Sequence, residues 1–159
     1  MKKKIYIETT VVSYLTATPS RDILIAGHQE ATRELWTKLS SRYETFVSAL
    51  VVQEAGRGDA NQAQLRLAAI SKFPILDIDD EAQSLAEKII TKKGIPFEYP
   101  EDALHIAVAA VNGIDVIITW NSAHLNNPFT RKKVRNIVEA EGYSCPEVCS
   151  PEELLEVGR

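Results

Sequence analysis

Residues 5–15 read Ile5-Tyr6-Ile7-Glu8-Thr9-Thr10-Val11-Val12-Ser13-Tyr14-Leu15, an apolar segment that stops at an acid before a second apolar segment begins. The β-branched residues before Glu8 predict a strand over residues 3–8. Thr9 or Thr10 is placed to cap a helix over residues 11–16. Polar residues at the carboxyl ends of parallel strands converge at one edge of an open α/β sheet, where such folds bind ligands. Glu8 is therefore a candidate ligand-binding residue.

The remainder of the chain alternates strand and helix patterns. Strand patterns cover residues 43–47, 74–78 and 115–119, and helical patterns lie between and after them. This alternation predicts the α/β class, as a three-layer α/β/α sandwich with a mainly parallel central sheet. The chain has 159 residues and no long linker, repeat or low-complexity tract, so we expect a single domain over residues 1–159.

The composition is that of an ordinary globular protein, with 45% apolar and 25% charged residues. A net charge of −4 argues against a protein that coats nucleic acid through its bulk charge. A local basic cluster nevertheless occurs at Arg131, Lys132, Lys133 and Arg135. Such runs are more often solvated helix faces than binding sites.

The sequence contains neither a membrane-spanning pattern nor a signal-peptide pattern. Its apolar runs fall far short of the roughly 20 residues that span a bilayer. Glu8 interrupts the apolar segment that a signal peptide would need after the N-terminal lysines. Cys145 and Cys149 are too few for a zinc site and predict reduced thiols. We therefore expect a cytoplasmic protein without a membrane partner.

Three acids and an amide stand at comparable points of the predicted elements. Glu8 ends the first strand, Glu54 lies on a short apolar helix, Asp102 starts a helix, and Asn121 follows the last core strand. Taken singly, each has a structural interpretation, since an acid such as Asp102 stabilises a helix N-terminus by about 0.3–1 kcal/mol. Together they would repel, because two carboxylates about 4 Å apart cost roughly 4 kcal/mol at an effective dielectric near 20. A bound divalent cation is the simplest partner.

The ligand types indicate which cation and which chemistry. Carboxylate and amide oxygens select Mg²⁺ or Mn²⁺ over zinc. Such an ion lowers the pKa of a bound water and stabilises charge on a phosphate that is being cleaved. The four residues therefore predict metal-assisted hydrolysis of a phosphodiester.

The same residues resemble the motifs of PIN domains. Residues 5–15 resemble the opening of that family, in which an acid followed by Thr and Ser ends the first strand. Glu54 is similar to its second acid, and Asp102 in Glu101-Asp102-Ala103-Leu104-His105-Ile106-Ala107 is similar to its third. Thr119-Trp120-Asn121 resembles its Thr-any-Asp signature. The chain length suits the single-domain VapC-type ribonuclease toxins, and residues 149–154 look like the tail of one subgroup.

This resemblance implies an endoribonuclease that depends on Mg²⁺ or Mn²⁺. It also implies a homodimer that a cognate antitoxin protein inhibits. In that reading Glu8, Glu54 and Asp102 hold the ion together with Asn121, and one acid orients the attacking water. Thr9 and Thr119 would support these ligands through hydrogen bonds.

Two departures from the family pattern leave an alternative open. Position 8 is usually Asp in the family, and Glu8 is longer by one methylene. Asn121 offers a carbonyl oxygen but no charge, and Ser122 follows it where a further acid is common. The alternative is a degenerate PIN-like domain that binds RNA or a protein partner without cleavage. An unrelated α/β phosphohydrolase is disfavoured, because its aspartyl nucleophile would be expected where this chain has Glu8.

Further residues near these motifs have competing interpretations. His105 is on the helical face of Asp102 and is more simply a packed histidine than a ligand. His124 could contact Asn121 or a substrate phosphate, and Arg57 could reach RNA or remain solvated. Trp120 is expected in the core rather than stacked on a base. The basic residues Arg131, Lys132 and Lys133 are the best candidates for contact with RNA or with an acidic antitoxin segment.

Overall fold

The structure is a computed structural model that describes residues 1–157. Strands and helices alternate along these residues, with five strands and eight helices among them. The strands are β1 (Lys3–Ile7), β2 (Tyr43–Ser48), β3 (Ile75–Leu76), β4 (Val116–Ile118) and β5 (Glu147–Cys149). The helices are α1 (Thr9–Thr16), α2 (Ile23–Arg42), α3 (Ala49–Ala55), α4 (Ala60–Ile70), α5 (Asp80–Thr91), α6 (Pro100–Val111), α7 (Pro128–Ala140) and α8 (Pro151–Val157).

The strands form one parallel sheet in the order β3-β2-β1-β4-β5. Ile5 pairs with Thr45 of β2 on one side and with Val116 of β4 on the other. The carboxyl ends of β1, β2 and β4 therefore meet at one edge of the sheet. The predicted α/β/α architecture with a mainly parallel sheet is confirmed.

Strand β5 has no counterpart among the predicted strands. It is only three residues long, and its side chains are exposed or partly exposed, so no buried apolar run marks it. It exists because its backbone pairs with β4, where Ile118 lies beside Cys149. Pairing with a neighbouring strand is a tertiary contact that local sequence does not encode.

The core is built around β1 and α6. Ile5, Tyr6 and Ile7 are completely buried, as expected for a central parallel strand that helices cover on both faces. Helix α6 is buried along most of its length, and its hidden residues include His105. A buried imidazole and a buried phenol both need hydrogen-bond partners, which makes the surroundings of Tyr6 and His105 informative.

The N-terminus of α1 differs from the prediction. The expectation that Thr9 or Thr10 caps this helix is wrong, because both residues are already helical and Glu8 is the N-cap. Glu8 has an extended backbone, and its side chain accepts a hydrogen bond from the backbone N–H of Thr10 at 3.1 Å. A strand that turns directly into a helix leaves no separate capping residue, so the acid that ends the strand also caps the helix.

Two expectations about other parts of the chain can be compared with the structure. Among residues 1–157, none of the helices combines the length and the apolar character that crossing a bilayer requires. Cys145 and Cys149 are free thiols, as expected. Burial raises the pKa of Cys145 to about 11 and that of Cys149 to about 12, so both are protonated and weakly nucleophilic at neutral pH.

Candidate active site

Glu8, Glu54, Asp102 and Asn121 line one cleft of about 360 Å³ at the carboxyl edge of the sheet. Each reaches it from a different element: the β1–α1 junction, α3, the first turn of α6 and the segment after β4. The other lining residues are Thr9, Thr10, Ser13, Tyr14 and Arg57. The structure thus brings the four acid and amide side chains to one place, with an arginine beside them.

The carboxylate of Glu8 is held by hydroxyl groups from two elements. Its Oε1 accepts from Thr10 Oγ1 at 2.5 Å and from Thr119 Oγ1 at 2.6 Å, while its Oε2 accepts from the backbone N–H of Thr10. Glu8 is only 5% exposed, so its carboxylate loses most of its contact with water, and these donors take the place of the lost water. Thr119 was among the predicted supporting residues, but Thr10 was not. Thr10 lies two residues after Glu8, and this spacing from the N-cap acid is the sequence feature that could have predicted its contact.

Glu54 is anchored through a single oxygen. Its Oε1 accepts from Thr9 Oγ1 at 2.5 Å and from His105 Nε2 at 2.8 Å. Burial by itself raises the pKa of Glu54, but the hydrogen bond and the charge of His105 outweigh it, and the net result is a lowered pKa. Glu54 is therefore an ionised carboxylate with a defined orientation at neutral pH.

His105 belongs to a buried hydrogen-bond network that ends on Glu54. An ionised carboxylate can only accept, so His105 Nε2 donates to Glu54. The opposite ring nitrogen, Nδ1, lies 2.6 Å from the hydroxyl oxygen of Tyr6, which lies 2.8 Å from Ser48 Oγ. Ser48 Oγ in turn accepts from the backbone N–H of Val51 at 3.2 Å and caps α3, the helix that carries Glu54. The network therefore fixes both the Glu54 side chain and its helix.

Burial and charge act in opposite directions on the groups of this network. Burial lowers the pKa of His105, but the hydrogen bond to Glu54 and the charges of Glu8, Glu54 and Asp102 raise it by more, so the net shift is upward. Burial raises the pKa of Tyr6 well above its usual range, which keeps its hydroxyl protonated. Sequence analysis placed His105 in the packing, and the imidazole is indeed 1% exposed. It did not identify Tyr6 or Ser48 as its partners.

Among the described residues, two of the predicted carboxylate ligands, Glu8 and Glu54, lie close enough together to share a cation, whereas Asp102 is not part of this close group. Glu8, Glu54 and His105 each offer a ligand atom within 4.8 Å of the other two. His105 could coordinate through Nε2 only by giving up its bond to Glu54. The carboxylate oxygens are thus the better ligands, and they are the type that Mg²⁺ and Mn²⁺ prefer. In this geometry His105 orients the Glu54 carboxylate.

Asp102 lines the same cleft and contacts Asn121 and His124. Its Oδ1 accepts from Asn121 Nδ2 at 3.3 Å, and its Oδ2 lies 3.0 Å from His124 Nδ1. Burial raises the pKa of Asp102 by more than His124 and His105 lower it, so the net shift is upward. Asn121 Oδ1 accepts from the backbone N–H of His124, which leaves the amide bonded at both of its polar atoms. An amide at position 121 thus donates to Asp102, where a carboxylate would repel it.

The remaining predicted residues occupy different places. Arg57 lines the cleft, whereas Arg131, Lys132 and Lys133 do not. The guanidinium of Arg131 donates to Asn126 Oδ1 at 2.7 Å and to the backbone carbonyl of Val148, so it connects α7 to neighbouring segments. Lys132 and Lys133 are exposed on α7. Lys133 lines a second pocket that also includes His124.

Trp120 packs beside the cleft. Its ring stacks on that of His28 with centroids 4.0 Å apart, and its indole N–H donates to Thr32 Oγ1 at 2.9 Å. The backbone N–H of Trp120 donates to Thr10 Oγ1, the same hydroxyl that binds Glu8. The indole is thus held by packing and a hydrogen bond, while the backbone of Trp120 supports the hydroxyl that binds Glu8.

The sequence matches a known protein family, and the fold is similar to those of solved structures. A family model described as PIN domain matches residues 5–130. A chain in the crystal structure of VapBC2 from Rickettsia felis, bound to a DNA fragment from their promoter, superimposes with a TM-score of 0.61 at 15% identity. That match covers 92% of this chain and 98% of the other. VapC20 from Mycobacterium tuberculosis, a sarcin-ricin loop cleaving toxin, has a TM-score of 0.55 at 15% identity, covering 87% and 95% of the two chains. A search of curated proteins found no match.

Proposed function

The chain belongs to the PIN domain family, and from that premise we propose that it is an endoribonuclease that hydrolyses RNA phosphodiesters with Mg²⁺ or Mn²⁺. One observation carries the proposal: Glu8, Glu54 and Asp102, which are far apart in the chain, line the same cleft. The network that ends on Glu54 supports it further, because buried hydrogen bonds hold that carboxylate in one orientation at the edge of the cleft.

Glu8, Glu54 and Asp102 would hold the ion, with Asn121 beside them. When bound, the ion supplies an activated water and stabilises negative charge on the scissile phosphate. Thr10 and Thr119 hold Glu8 through its Oε1, and His105 and Thr9 hold Glu54 through its Oε1. Arg57 lies in the same cleft and is the residue that would contact a substrate phosphate.

The biological setting belongs to the same proposal. We infer that the protein is the toxin of a toxin–antitoxin pair, a cytoplasmic homodimer inhibited by a cognate antitoxin protein. The support is the likeness of its fold to a chain from a VapBC complex and to a toxin that cleaves the sarcin-ricin loop. The antitoxin part of the proposal is tested by searching the neighbouring genes for a short open reading frame and by co-expressing and co-purifying its product with this protein; a neighbourhood without such a frame would contradict it.

The nuclease proposal is tested by RNA cleavage in Mn²⁺ with single-residue variants. We expect Glu54→Gln and Asp102→Asn to lose cleavage and also the rise in melting temperature that Mn²⁺ causes. Glu101→Gln is the matched control, because Glu101 is an exposed acid next to Asp102 and does not line the cleft. Folded wild-type protein that leaves structured RNA intact in Mn²⁺ would contradict the proposal.

A second candidate function is a PIN domain that binds RNA or a protein partner without cutting. The hydrogen bonds of Asn121 favour it, because both polar atoms of this neutral amide are already engaged with protein groups. RNA that binds but stays intact in excess Mn²⁺, together with cleavage by the Asn121→Asp variant, would support this second function and reject the first.

A further inference from the structure

A second pocket, of about 630 Å³, adjoins the acidic cleft. Its lining includes Lys93, Phe97, Glu98, His124 and Lys133, and we call it the aromatic–basic pocket. His124 connects the two sites, because it lines this pocket and its Nδ1 lies 3.0 Å from the carboxylate of Asp102. A chain bound across the acidic cleft could therefore continue into the aromatic–basic pocket.

Aromatic rings are exposed at this pocket. Phe97 is 78% exposed, and Tyr99, at 44%, stacks in a tilted geometry on the ring of His124 with centroids 4.0 Å apart. A single exposed aromatic residue is unremarkable, but here the lining combines the exposed ring of Phe97, two lysines and His124, whose ring is stacked on Tyr99 just outside the lining. Trp120 differs, since its ring is already stacked on His28 and its N–H is bonded to Thr32.

Lys93 adopts a backbone conformation that lysine rarely takes. Its φ is +63°, in the left-handed region that glycine normally occupies after a helix. The backbone N–H groups of Lys93 and Gly94 donate to Ile90 and Ile89, which closes α5 in a Schellman motif. A lysine at this strained position points to a use for its charge, and Lys93 lines the aromatic–basic pocket.

The next residue explains why the loop cannot easily shift. A Cβ on Gly94 would come within 2.8 Å of the Ile137 side chain and 3.2 Å of Ile89. Gly94 thus fixes the approach of the loop to α7, the helix that carries Lys133. Lys133 therefore lies on α7, and Lys93 lies in the turn after α5, next to the glycine that packs against Ile137 of α7.

We propose that the aromatic–basic pocket binds the base and phosphate of a single-stranded RNA nucleotide next to the one cleaved in the acidic cleft. Phe97 provides the stacking surface, and Lys93 and Lys133 contact the phosphate. This combination of aromatic stacking surfaces with cations is how proteins bind single-stranded nucleic acid. The lysines outnumber the one acid in the lining, Glu98, so the pocket favours an anionic ligand. The proposal rests on the proposed ribonuclease function.

The test is fluorescence anisotropy with a labelled eight-nucleotide single-stranded RNA. Each variant is made in a Glu54→Gln background in Mn²⁺ to prevent cleavage. Phe97→Ala is expected to weaken binding by about tenfold, the usual loss when one stacking side chain is removed. Phe129→Ala is the matched control, because Phe129 is 80% exposed on α7 but does not line the pocket, and its affinity should equal that of the background protein.

Lys93→Gly gives a second readout that a merely structural role would not produce. Glycine relieves the left-handed strain, so the melting temperature should rise while RNA affinity falls. The slope of log affinity against log salt should decrease by about one for each phosphate-binding lysine removed, here Lys93 or Lys133. Phe97→Ala should also weaken the binding of an RNA that lacks one base by less than it weakens the binding of intact RNA, because the missing base cannot stack on Phe97.

The outcomes separate this inference from the proposed function. Equal RNA affinity for the Phe97→Ala variant and its parent would overturn the pocket assignment even if wild-type protein cleaves RNA. A tenfold loss on Phe97→Ala with wild-type protein that never cleaves would support the pocket and reject the nuclease. Absence of RNA binding by the parent protein would overturn the pocket assignment outright.

Discussion

His105 Nε2 and Glu54 Oε1 lie 2.8 Å apart, and this contact joins the centre of α6 to the helix that carries the second acid. The imidazole is buried and the carboxylate borders the cleft, so the hydrogen bond fixes the Glu54 carboxylate to a side chain of the packed core. Because Tyr6 and Ser48 complete the network behind His105, disturbing a residue far from the cleft should alter the orientation of Glu54.

We expect Tyr6→Phe to lower both stability and activity. The substitution removes a hydroxyl that lies within hydrogen-bond distance of Ser48 and His105, leaving buried polar atoms unsatisfied at a cost of about 1–3 kcal/mol. Urea unfolding measures the stability, and kcat at saturating RNA measures the loss of Glu54 orientation. Tyr43→Phe on the neighbouring strand is the control, since Tyr43 is partly exposed. Unchanged stability and kcat in Tyr6→Phe would show that the network does not act.

Stability should depend on pH through Glu54 and His105, measured by chemical unfolding in the presence of a chelator. The lowered pKa of Glu54 stabilises the fold above the ordinary value of 4.5, and this contribution is lost as the pH falls through the folded pKa. The raised pKa of His105 stabilises the fold below 6.5, and this contribution is lost as the pH rises through the folded pKa. The combined contribution of the two groups to the free energy of unfolding is therefore largest between about pH 4.5 and pH 6.5.

His105→Gln separates these contributions. Glutamine can still donate to Glu54 but does not titrate, so the decline in stability on the alkaline side of pH 6.5 should flatten. A variant at His28, which stacks on Trp120 outside the network, serves as the histidine control. The same alkaline decline in wild type and in His105→Gln would contradict the assignment.

Asn121→Asp should make the protein less stable without metal and more responsive to Mn²⁺. The amide that donates to Asp102 becomes a second carboxylate, and two such charges about 4 Å apart repel by up to roughly 4 kcal/mol at an effective dielectric near 20. A cation offsets that repulsion. Melting curves with and without Mn²⁺ should show a lower starting temperature and a larger metal-induced rise than in the wild type. The opposite order would indicate that Asp102 and residue 121 do not share an ion.

Thr10→Val should destabilise the protein by about 1–3 kcal/mol, because it removes one of the hydroxyls that hold Glu8. The same hydroxyl accepts from the backbone N–H of Trp120, which would lose its partner. Thr37→Val, at an exposed position of α2, has the same change in shape and should cost little. Differential scanning calorimetry distinguishes the two variants, and equal melting temperatures would disprove the role of Thr10.

Some features of the site could be predicted from local sequence and others could not. Glu54 was out of place among apolar neighbours, and a buried charge without a partner is costly, so its functional interest was visible from residues 51–55. The identity of its partners was not. Tyr6 read as one more core residue of β1, and the two side chains are brought together only by the packing of α6 against the sheet.

The sequence alone determined the parallel α/β architecture, because the alternation of buried strands and helices leaves few ways to cover both faces of a sheet. It also predicted Glu8, Glu54, Asp102 and Asn121 as candidate site residues, since polar residues at the ends of apolar elements are visible as breaks in local patterns, and these four line one cleft. Only the tertiary structure decided which oxygen each hydroxyl binds, that Glu8 caps its own helix, and that His105 serves Glu54. Hydrogen bonds between distant segments depend on distances of a few tenths of an ångström, and local periodicity does not specify those distances.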